Sequence, residues 1–506
     1  MGMKLFRPAD YESFVFLSHG IELQSGVITL KYRLAPRLAP AGGPTFTETI
    51  VLPGAPFSLP PDRIAALLKV VSLLHLAAGV SYYKTATPPL VQVLPSAPGP
   101  ATTLWLNSLY RDGLGEFYWS NNLPQDRAPL FTADPAHTPA RPSASAQSRA
   151  HNPAHAGLAL VPVGGGKDSC VTIEALRQTG HRLTLFSVNR AAPVTATVRV
   201  AALPHLVAQR RLSPNLLEVN ASGAFNGHVP VTAIVSLIAV ATAIVSGHDA
   251  VIMSNESSAS FGSTMETGQV INHQYSKGYE AETLLASALE EEIGPYPAWF
   301  SLLRPWSEFA IARRFASLTQ YHEHFVSCNR AFTQDRSGIG PLPTARTATV
   351  RTHVLAGTAS TLPERGETSD DGTPDVSPPT RWCNNCAKCR FVFLILAPFL
   401  PPSRMKKIFG KNLLEDDTQL DGYRLLVGTH GSKPFECVGM ESESTEAFQI
   451  LHYTPEWQDA TIVREMAVEL GLRATPENSP ARSQLLRPSD QHRVPPAYQD
   501  ACDAIA

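Results

Sequence analysis

Three stretches of this chain bring together residue types whose spacing suits chemistry. The first is Val161-Pro162-Val163-Gly164-Gly165-Gly166-Lys167-Asp168-Ser169-Cys170. Its glycines allow backbone N–H groups to turn inward on an oxyanion, Ser169 adds a hydroxyl donor, and a helix beginning at once adds the partial positive charge of its N-terminus. That is a cradle for phosphate, with an ordinary glycine-rich turn as the alternative. It is not a Walker A sequence, because Asp168 follows Lys167 where Ser or Thr is required. The second stretch pairs Ser254-Asn255-Glu256-Ser257 with Asn272-His273-Gln274-Tyr275-Ser276-Lys277. Glu256 suits holding magnesium or receiving a proton, against helix capping by Ser254 or Asn255. His273, Tyr275 and Lys277 are three side chains able to move protons, although in isolation the segment would be a solvated loop. The third is Cys383-Asn384-Asn385-Cys386-Ala387-Lys388-Cys389, with Cys328 as a fourth thiol. Four thiolates at this spacing suit a closed tetrahedral zinc site, and an iron–sulfur cluster is the rival.

The elements that must position these groups alternate between strand and helix. Leu158-Ala159-Leu160-Val161 is an apolar run of strand length, and the helix after the glycines is closed by Thr179-Gly180. A second strand, Leu183 onward through Asn189, follows at helix length, the β-α-β order of a parallel sheet. Pro230 opens a long apolar helix that Gly247 closes, and Ala250-Val251-Ile252-Met253 forms the next strand. Residues just beyond strand ends in such a sheet face the ligand crevice, which places Asn255 and Glu256 near the glycine loop. Arg304 suits either a substrate carboxylate or phosphate or an ion pair with Glu308.

Ahead of this unit, residues 1–131 carry strand-like runs at Ser13-Phe14-Val15-Phe16-Leu17, around Val27 to Arg33 and around Thr47 to Leu52, then a helix from Pro61. They predict a smaller α+β domain containing an antiparallel sheet. In Ser81-Tyr82-Tyr83-Lys84 and Gly113-Leu114-Gly115-Glu116-Phe117-Tyr118 the rings are expected to pack while their polar tips reach water. Residues 132–157, rich in Ala, Pro, Ser and His, form a linker, residues 158–455 the second domain, residues 336–380 a disordered insertion, and residues 456–506 a terminal segment with a disordered tail beyond Leu472. Cys437 lies in a turn-rich piece near the acids Glu441, Glu443 and Glu446, outside a basic surrounding that would lower its pKa, and is expected to pack.

At 506 residues, with 43% hydrophobic content and a net charge of −2, the chain has the size for two or more domains and no basic stripe for nucleic acid. The N-terminus becomes polar at once, and no apolar run is expected to reach the roughly 18 residues of a membrane span, so a cytoplasmic protein without a membrane partner is expected. Seven cysteines, three of them bunched, suit a metal site better than a disulfide framework.

The glycine loop resembles the S-G-G-x-D-S loop of the PP-loop ATP pyrophosphatases, with Gly164 standing where that family usually has Ser. The cysteine run resembles the structural zinc knob of several PP-loop enzymes, notably the pre-queuosine nitrile synthases. Taken together, Ser81-Tyr82-Tyr83-Lys84, the glycine loop, Ser254-Asn255-Glu256-Ser257-Ser258-Ala259, Asn272-His273-Gln274-Tyr275-Ser276-Lys277, the run Trp382-Cys383 through Cys389, and Phe435-Glu436-Cys437-Val438-Gly439 resemble the UDP-N-acetyl-α-D-muramoyl-L-alanyl-L-glutamate epimerases. The resemblance implies an α/β, parallel-sheet PP-loop (adenine nucleotide α-hydrolase-like) domain. It also implies ATP- and magnesium-dependent inversion of a terminal L-glutamate on a UDP-MurNAc-dipeptide, with AMP and pyrophosphate released. Gly164, Gly165, Gly166, Lys167, Asp168, Ser169 and Asn255 would then bind nucleotide; Asp168, Glu256, His273, Tyr275 and Lys277 would act in catalysis; Cys328, Cys383, Cys386 and Cys389 would hold structural zinc. Two other readings stay open: an ATP-dependent amidase or tRNA-modifying ligase on the same loop, and a non-catalytic nucleotide sensor.

Overall fold

Alternation with a period of two decides the first strands: in Val27–Pro36 (β2) the side chains of Ile28, Leu30, Tyr32 and Leu34 are buried on one side. The later strands Ala159–Pro162 (β5) and Ala250–Met253 (β8) are apolar throughout, Leu183–Val188 (β6) is interrupted only by Thr184 and Ser187, and all three are covered on both faces. The structure, a computed structural model, describes residues 5–94, 97–139, 157–328, 381–431, 433–473 and 480–506. The insertion at 336–380 and most of the linker at 132–157 lie outside those residues.

Both kinds of strand belong to one mixed sheet. With β1 (Tyr11–Glu22), β3 (Thr45–Val51), β4 (Leu90–Val93), β7 (His205–Arg211) and β9 (Ala298–Ser301), the nine strands run in the order β9-β8-β5-β6-β7-β3-β2-β1-β4. From β9 to β7 every pairing is parallel; β7 meets β3, β3 meets β2 and β2 meets β1 antiparallel. The N-terminal strands therefore continue the parallel sheet through the pairs Thr49 with Arg211, Ile50 with Arg210 and Val51 with Gln209. A buried charge pair pins this seam: Arg210 Nε donates to Glu48 Oε1 at 2.7 Å, and Tyr82 Oη donates to Glu48 Oε2 at 2.8 Å. The polar tips of Ser81-Tyr82-Tyr83-Lys84 thus do not reach water as expected. Tyr83 donates to the Arg127 carbonyl at 3.3 Å and Lys84 to Asn226, because the whole segment is buried.

Alternate residues of the central strands feed two cores. Leu160, Phe186 and Val251 face helices α1 (Pro61–Ala78) and α3 (Val231–Ser246), whereas Val161, Leu185 and Ile252 face α2 (Lys167–Gln178), α4 (Glu308–Ala316) and α5 (Ala387–Leu396). Gly247, at φ +75°, closes α3 as its position in sequence suggests. The helical stretch from Pro61 to Tyr83 corrects one expectation, since it is long and apolar enough to cross a membrane. Its Leu67, Val70, Val71 and Leu74 are instead buried against the sheet and α3.

The tail is a second correction. Residues 480–506 fold back as helices Pro480–Leu485 and Gln499–Asp503, burying Leu485, Val494, Tyr498, Ala501, Cys502 and Ile505 in the core beside α2. Trp306 Nε1 donates to the Cys502 carbonyl at 3.1 Å and Ser307 Oγ to the Leu485 carbonyl at 2.6 Å. Composition hid this, because the apolar anchors are widely spaced among Pro, Arg and Gln. Replacing Tyr498 with Ala is expected to cost about 3 kcal/mol, as for other large core truncations. Denaturant unfolding at unchanged slope checks it; a midpoint equal to that of the unaltered chain would show a tail that contributes nothing.

Candidate active site

In the parallel part of the sheet the strands lie, in chain order, as third, second, first, fourth, fifth, so the order reverses between β5 and β8. The crevice of such a sheet opens beyond the strand ends at that reversal, and both the glycine loop after β5 and the Asn255-Glu256 turn after β8 stand there. Gly165 takes φ +82°, and a Cβ on it would lie 2.7 Å from the Pro193 backbone, so a side chain is excluded. Gly164 is exposed with no atom within 4 Å of where its Cβ would be, which leaves its backbone open to a ligand. Gly166 caps α2 in extended conformation, and Ser169 Oγ donates back to its carbonyl at 3.1 Å.

Lys167 points inward. It is buried and paired with both Asp168 and Glu308, and Lys388 Nζ stands 3.4 Å from the other Glu308 oxygen. Burial alone would raise the Glu308 carboxyl, but the two ammonium groups hold it well below the usual carboxylate range. Asp168 keeps 26% of its side chain exposed, on the open side of the loop. Asn255 donates to Ser301 Oγ at 3.1 Å and caps no helix; nor does Ser254, so the capping alternative is not what the structure shows. Glu256, buried, is pushed up to about 7, first by burial and then by the charges of Glu308 and Asp168, with Lys277 and Lys388 opposing.

Arg304 corrects another expectation. Its guanidinium donates to Glu282 Oε2 at 2.8 Å and 3.0 Å, not to Glu308, and its remaining N–H groups reach the carbonyls of Glu256 and Lys277. It braces both segments of the crevice from below.

The three expected proton carriers separate. Tyr275 is buried against Ser108, among Asp112, Arg111 and Glu280, and burial raises its hydroxyl far above neutrality. His273 and Lys277 instead converge on Cys437. Lys277 Nζ donates to Cys437 Sγ at 3.5 Å, and His273 hydrogen-bonds the same sulfur while its Nδ1 donates to Glu116. His228 Nδ1 stands 3.7 Å from the same Glu116 carboxylate. Burial would lower His273, but its bonds to Cys437 and Glu116 raise it to about 10. Burial would raise the Cys437 thiol, yet Lys277 and His273 bring it down to about 6. The expectation of a packing cysteine in neutral surroundings is therefore overturned: its cations come from residues distant in sequence. Glu116, His228, Glu308 and Lys388 were equally unmarked as site residues, although Glu116 lies in a polar-aromatic piece and Lys388 inside the cysteine run.

Cys328, Cys383, Cys386 and Cys389 each offer a sulfur within 4.8 Å of the others, and Cys383 Sγ lies 3.6 Å from Cys389 Sγ. Tetrahedral zinc thiolates at about 2.3 Å from the metal would stand roughly 3.8 Å apart, so the set is compatible with a zinc knob.

Two family models match the sequence, the MurL N-terminal domain over residues 5–302 and the MurL C-terminal domain over residues 374–480. The chain belongs to the MurL epimerase family. It is 40% identical over 496 residues to the UDP-N-acetyl-alpha-D-muramoyl-L-alanyl-L-glutamate epimerase of a Micromonospora species, covering 97% of each chain. It is 37% identical over 498 residues to the protein so named in Xanthomonas oryzae pv. oryzae, covering 98% of each. No solved structure matches. In MurL terms the crevice draws on both matched regions: Glu116, Asp168, Glu256, His273 and Lys277 from the first, Lys388 and Cys437 from the second, with Glu308 between them.

Glu308→Ala would leave Lys167 and Lys388 buried without their shared partner, at a cost of about 3–5 kcal/mol. Equilibrium unfolding measures it, and Lys167→Met introduced with Glu308→Ala should recover part of the loss. Additive losses in the double variant would show that the two groups do not act through one another.

Proposed function

We propose that the chain inverts the terminal L-glutamate of UDP-MurNAc-L-Ala-L-Glu to D-glutamate at the expense of ATP, releasing AMP and pyrophosphate. The observation that carries the reading is the meeting, at one strand-order reversal, of a glycine loop open to an anion and a group of proton-exchanging side chains. The named relatives supply the substrate. The parallel-strand order with the loop after its first strand supports the PP-loop type of nucleotide domain, with residues 1–131 as an N-terminal addition. A UDP-linked substrate fits a reaction on the cytoplasmic side of the membrane.

The chemistry explains why an epimerase would bind ATP. The α-proton of a peptide-linked glutamate is weakly acidic, and the adjacent carboxylate already carries a full charge, so removing the proton would place charge on charge. Adenylating the carboxylate removes its charge and lets the carbonyl accept the electron pair as an enolate. In this reading Gly164, Gly165 and Gly166 hold phosphate oxygens by backbone N–H groups, aided by the α2 N-terminus, while Ser169 and Asn255 shape the loop and the opposite wall. Lys167 acts from beneath as a fixed positive charge. Asp168 and Glu256, whose carboxyl is raised first by burial and then by the charges of Glu308 and Asp168, are the pair that would hold magnesium. That ion would supply charge neutralisation for the leaving pyrophosphate. His273 and Lys277 are the expected proton carriers that face the crevice group; Tyr275, turned to Ser108, is the weakest of the three. Water then restores the carboxylate from the adenylate, which makes the inversion irreversible.

The test is to incubate the protein with ATP, magnesium and UDP-MurNAc-L-Ala-L-Glu in heavy water, following AMP, D-glutamate and deuterium at the α-carbon. All three should rise together, and Asp168→Ala should abolish all three. Inversion without ATP would sink the adenylate reading. AMP formation that requires ammonia or RNA would favour a ligase, and absence of any turnover a nucleotide sensor.

For the cysteine set we propose structural zinc, one ion per chain. Cys386→Ser should lower both the zinc content and the melting temperature, since a closed site contributes folding energy directly. Metal analysis and thermal unfolding check it, and a visible iron–sulfur absorption in the unaltered protein would decide for the rival cluster.

A further inference from the structure

We propose that Cys437, gripped by Lys277 and by the Glu116–His273 pair, is the group that exchanges the α-proton of the substrate on one face. The proposal rests on the adenylate reading above and goes beyond it, since it assigns the base to a residue outside the expected carriers.

The sulfur sits in a built place. The Phe435-Glu436-Cys437-Val438-Gly439 turn is tied to the His273 segment by Gln274 Nε2, which donates to the Val438 carbonyl at 3.3 Å. On its other side, the Lys388 backbone N–H donates to Glu436 Oε2 at 2.9 Å, fixing the turn to the start of α5. Against the sulfur stand Lys277 at 3.5 Å, the His273 ring, and the more distant charge of Lys388. His273 is oriented in turn by Glu116, as the third member of a nucleophile–base–carboxylate series orients its histidine. His228 closes the far side, its ring centroid 4.5 Å from that of His273, and burial keeps it neutral. Glu256 and Asp168 lie beyond Lys277 and act on its charge.

The charges balance: thiolate and Glu116 carboxylate against imidazolium and ammonium. A thiolate near pH 7 is therefore the resting form, in agreement with a thiol brought to about 6. A structural ion pair would need no sulfur. Cys437 itself is only partly buried, unlike Cys170 and Cys502, which lie in the core and whose thiols burial raises.

The step closes without any added reagent. Sγ forms a bond to the α-hydrogen as the Cα–H bond breaks, and the electron pair moves into the adenylated carbonyl to give the enolate. Lys277, 3.5 Å from the sulfur, stands on the same face, so the new proton reaches the opposite face of the α-carbon from water, and the S–H then releases its proton through Lys277 to neutralise the hydroxide left behind. Both groups are restored to their starting forms after one inversion.

The experiment uses the full chain with ATP, magnesium and UDP-MurNAc-L-Ala-L-Glu in heavy water. Cys437→Ala and Cys437→Ser should continue to form AMP while α-deuterium uptake and D-glutamate formation fall at least about a hundredfold. As a measurement independent of those variants, iodoacetamide labelling of the unaltered protein should find Cys437 reacting with a midpoint about 2 pH units below an ordinary thiol near 8.5. His273→Gln should move that midpoint upward. Uptake of deuterium by Cys437→Ala at the unaltered rate would overturn the proposal, and so would a labelling midpoint of 8 or above. A dipeptide-nucleotide mass attached to Cys437 would overturn it in favour of a covalent thioester. If the unaltered enzyme inverts glutamate without forming AMP, the adenylate reading fails instead, and the labelling midpoint still reports on the cradle.

Discussion

The arrangement around the crevice depends on one buried charge bridge, Lys167–Glu308–Lys388. Each member belongs to a different element: the first turn of α2, the first turn of α4 and the first turn of α5. Three buried charges are costly to desolvate, and the geometry is tolerable only because each ammonium meets a carboxylate oxygen. Hence the glycine loop, the start of α4 and the cysteine run cannot shift independently. The lysine that in many phosphate loops would touch the ligand is committed here to holding the floor of the site. Its charge still reaches the loop, as a fixed field in place of a mobile contact.

From that floor the rest of the site follows in layers. Burial and then Glu308 and Asp168 raise the Glu256 carboxyl, Cys437 and more weakly Glu256 favour the charged form of Lys277, and against burial Lys277 favours the thiolate of Cys437. Arg304, paired with Glu282, holds the backbone beneath two of these groups without entering the chain of charges. The cysteine set lies next door, since Cys386 and Cys389 flank Lys388 on α5. A metal there would steady the element that carries one arm of the bridge.

What could be read from the residues was what short-range signals encode. Gly165 and Gly166 announced a strand-to-helix turn, Pro230 and Gly247 bracketed a helix, and apolar runs marked β5, β8 and, with Thr184 and Ser187 among its residues, β6. Strand β7 was missed because in His205–Arg211 only Leu206, Val207 and Ala208 are apolar, and its pairing with β6 and β3 gives it a place. The continuity of the sheet was hidden for the same reason. The character of Cys437 depends on Lys277, 160 residues away, and on His273 and Glu116, so no local composition could reveal it. The partner of Arg304 stayed open between a substrate anion and its sequence neighbour Glu308, whereas the fold brings Glu282, distant in sequence, to two of its N–H groups.

The single sheet also sets an order in time. Glu48 on β3 and its partner Arg210 on β7 are separated by 162 residues, so as the chain leaves the ribosome β3 waits with one edge unpaired while the parallel strands are still being made. An open strand edge invites pairing with another chain. Here Thr45, Thr47 and Thr49 occupy one face of the strand while Glu48 sets a carboxylate between Phe46 and Ile50 on the other, an interruption of the apolar face that disfavours annealing to a second nascent copy. The glutamate that later locks the seam thus first serves as a guard, and closure of the ladder by β7 is a non-local step of the kind that slows folding in sheets of high contact order.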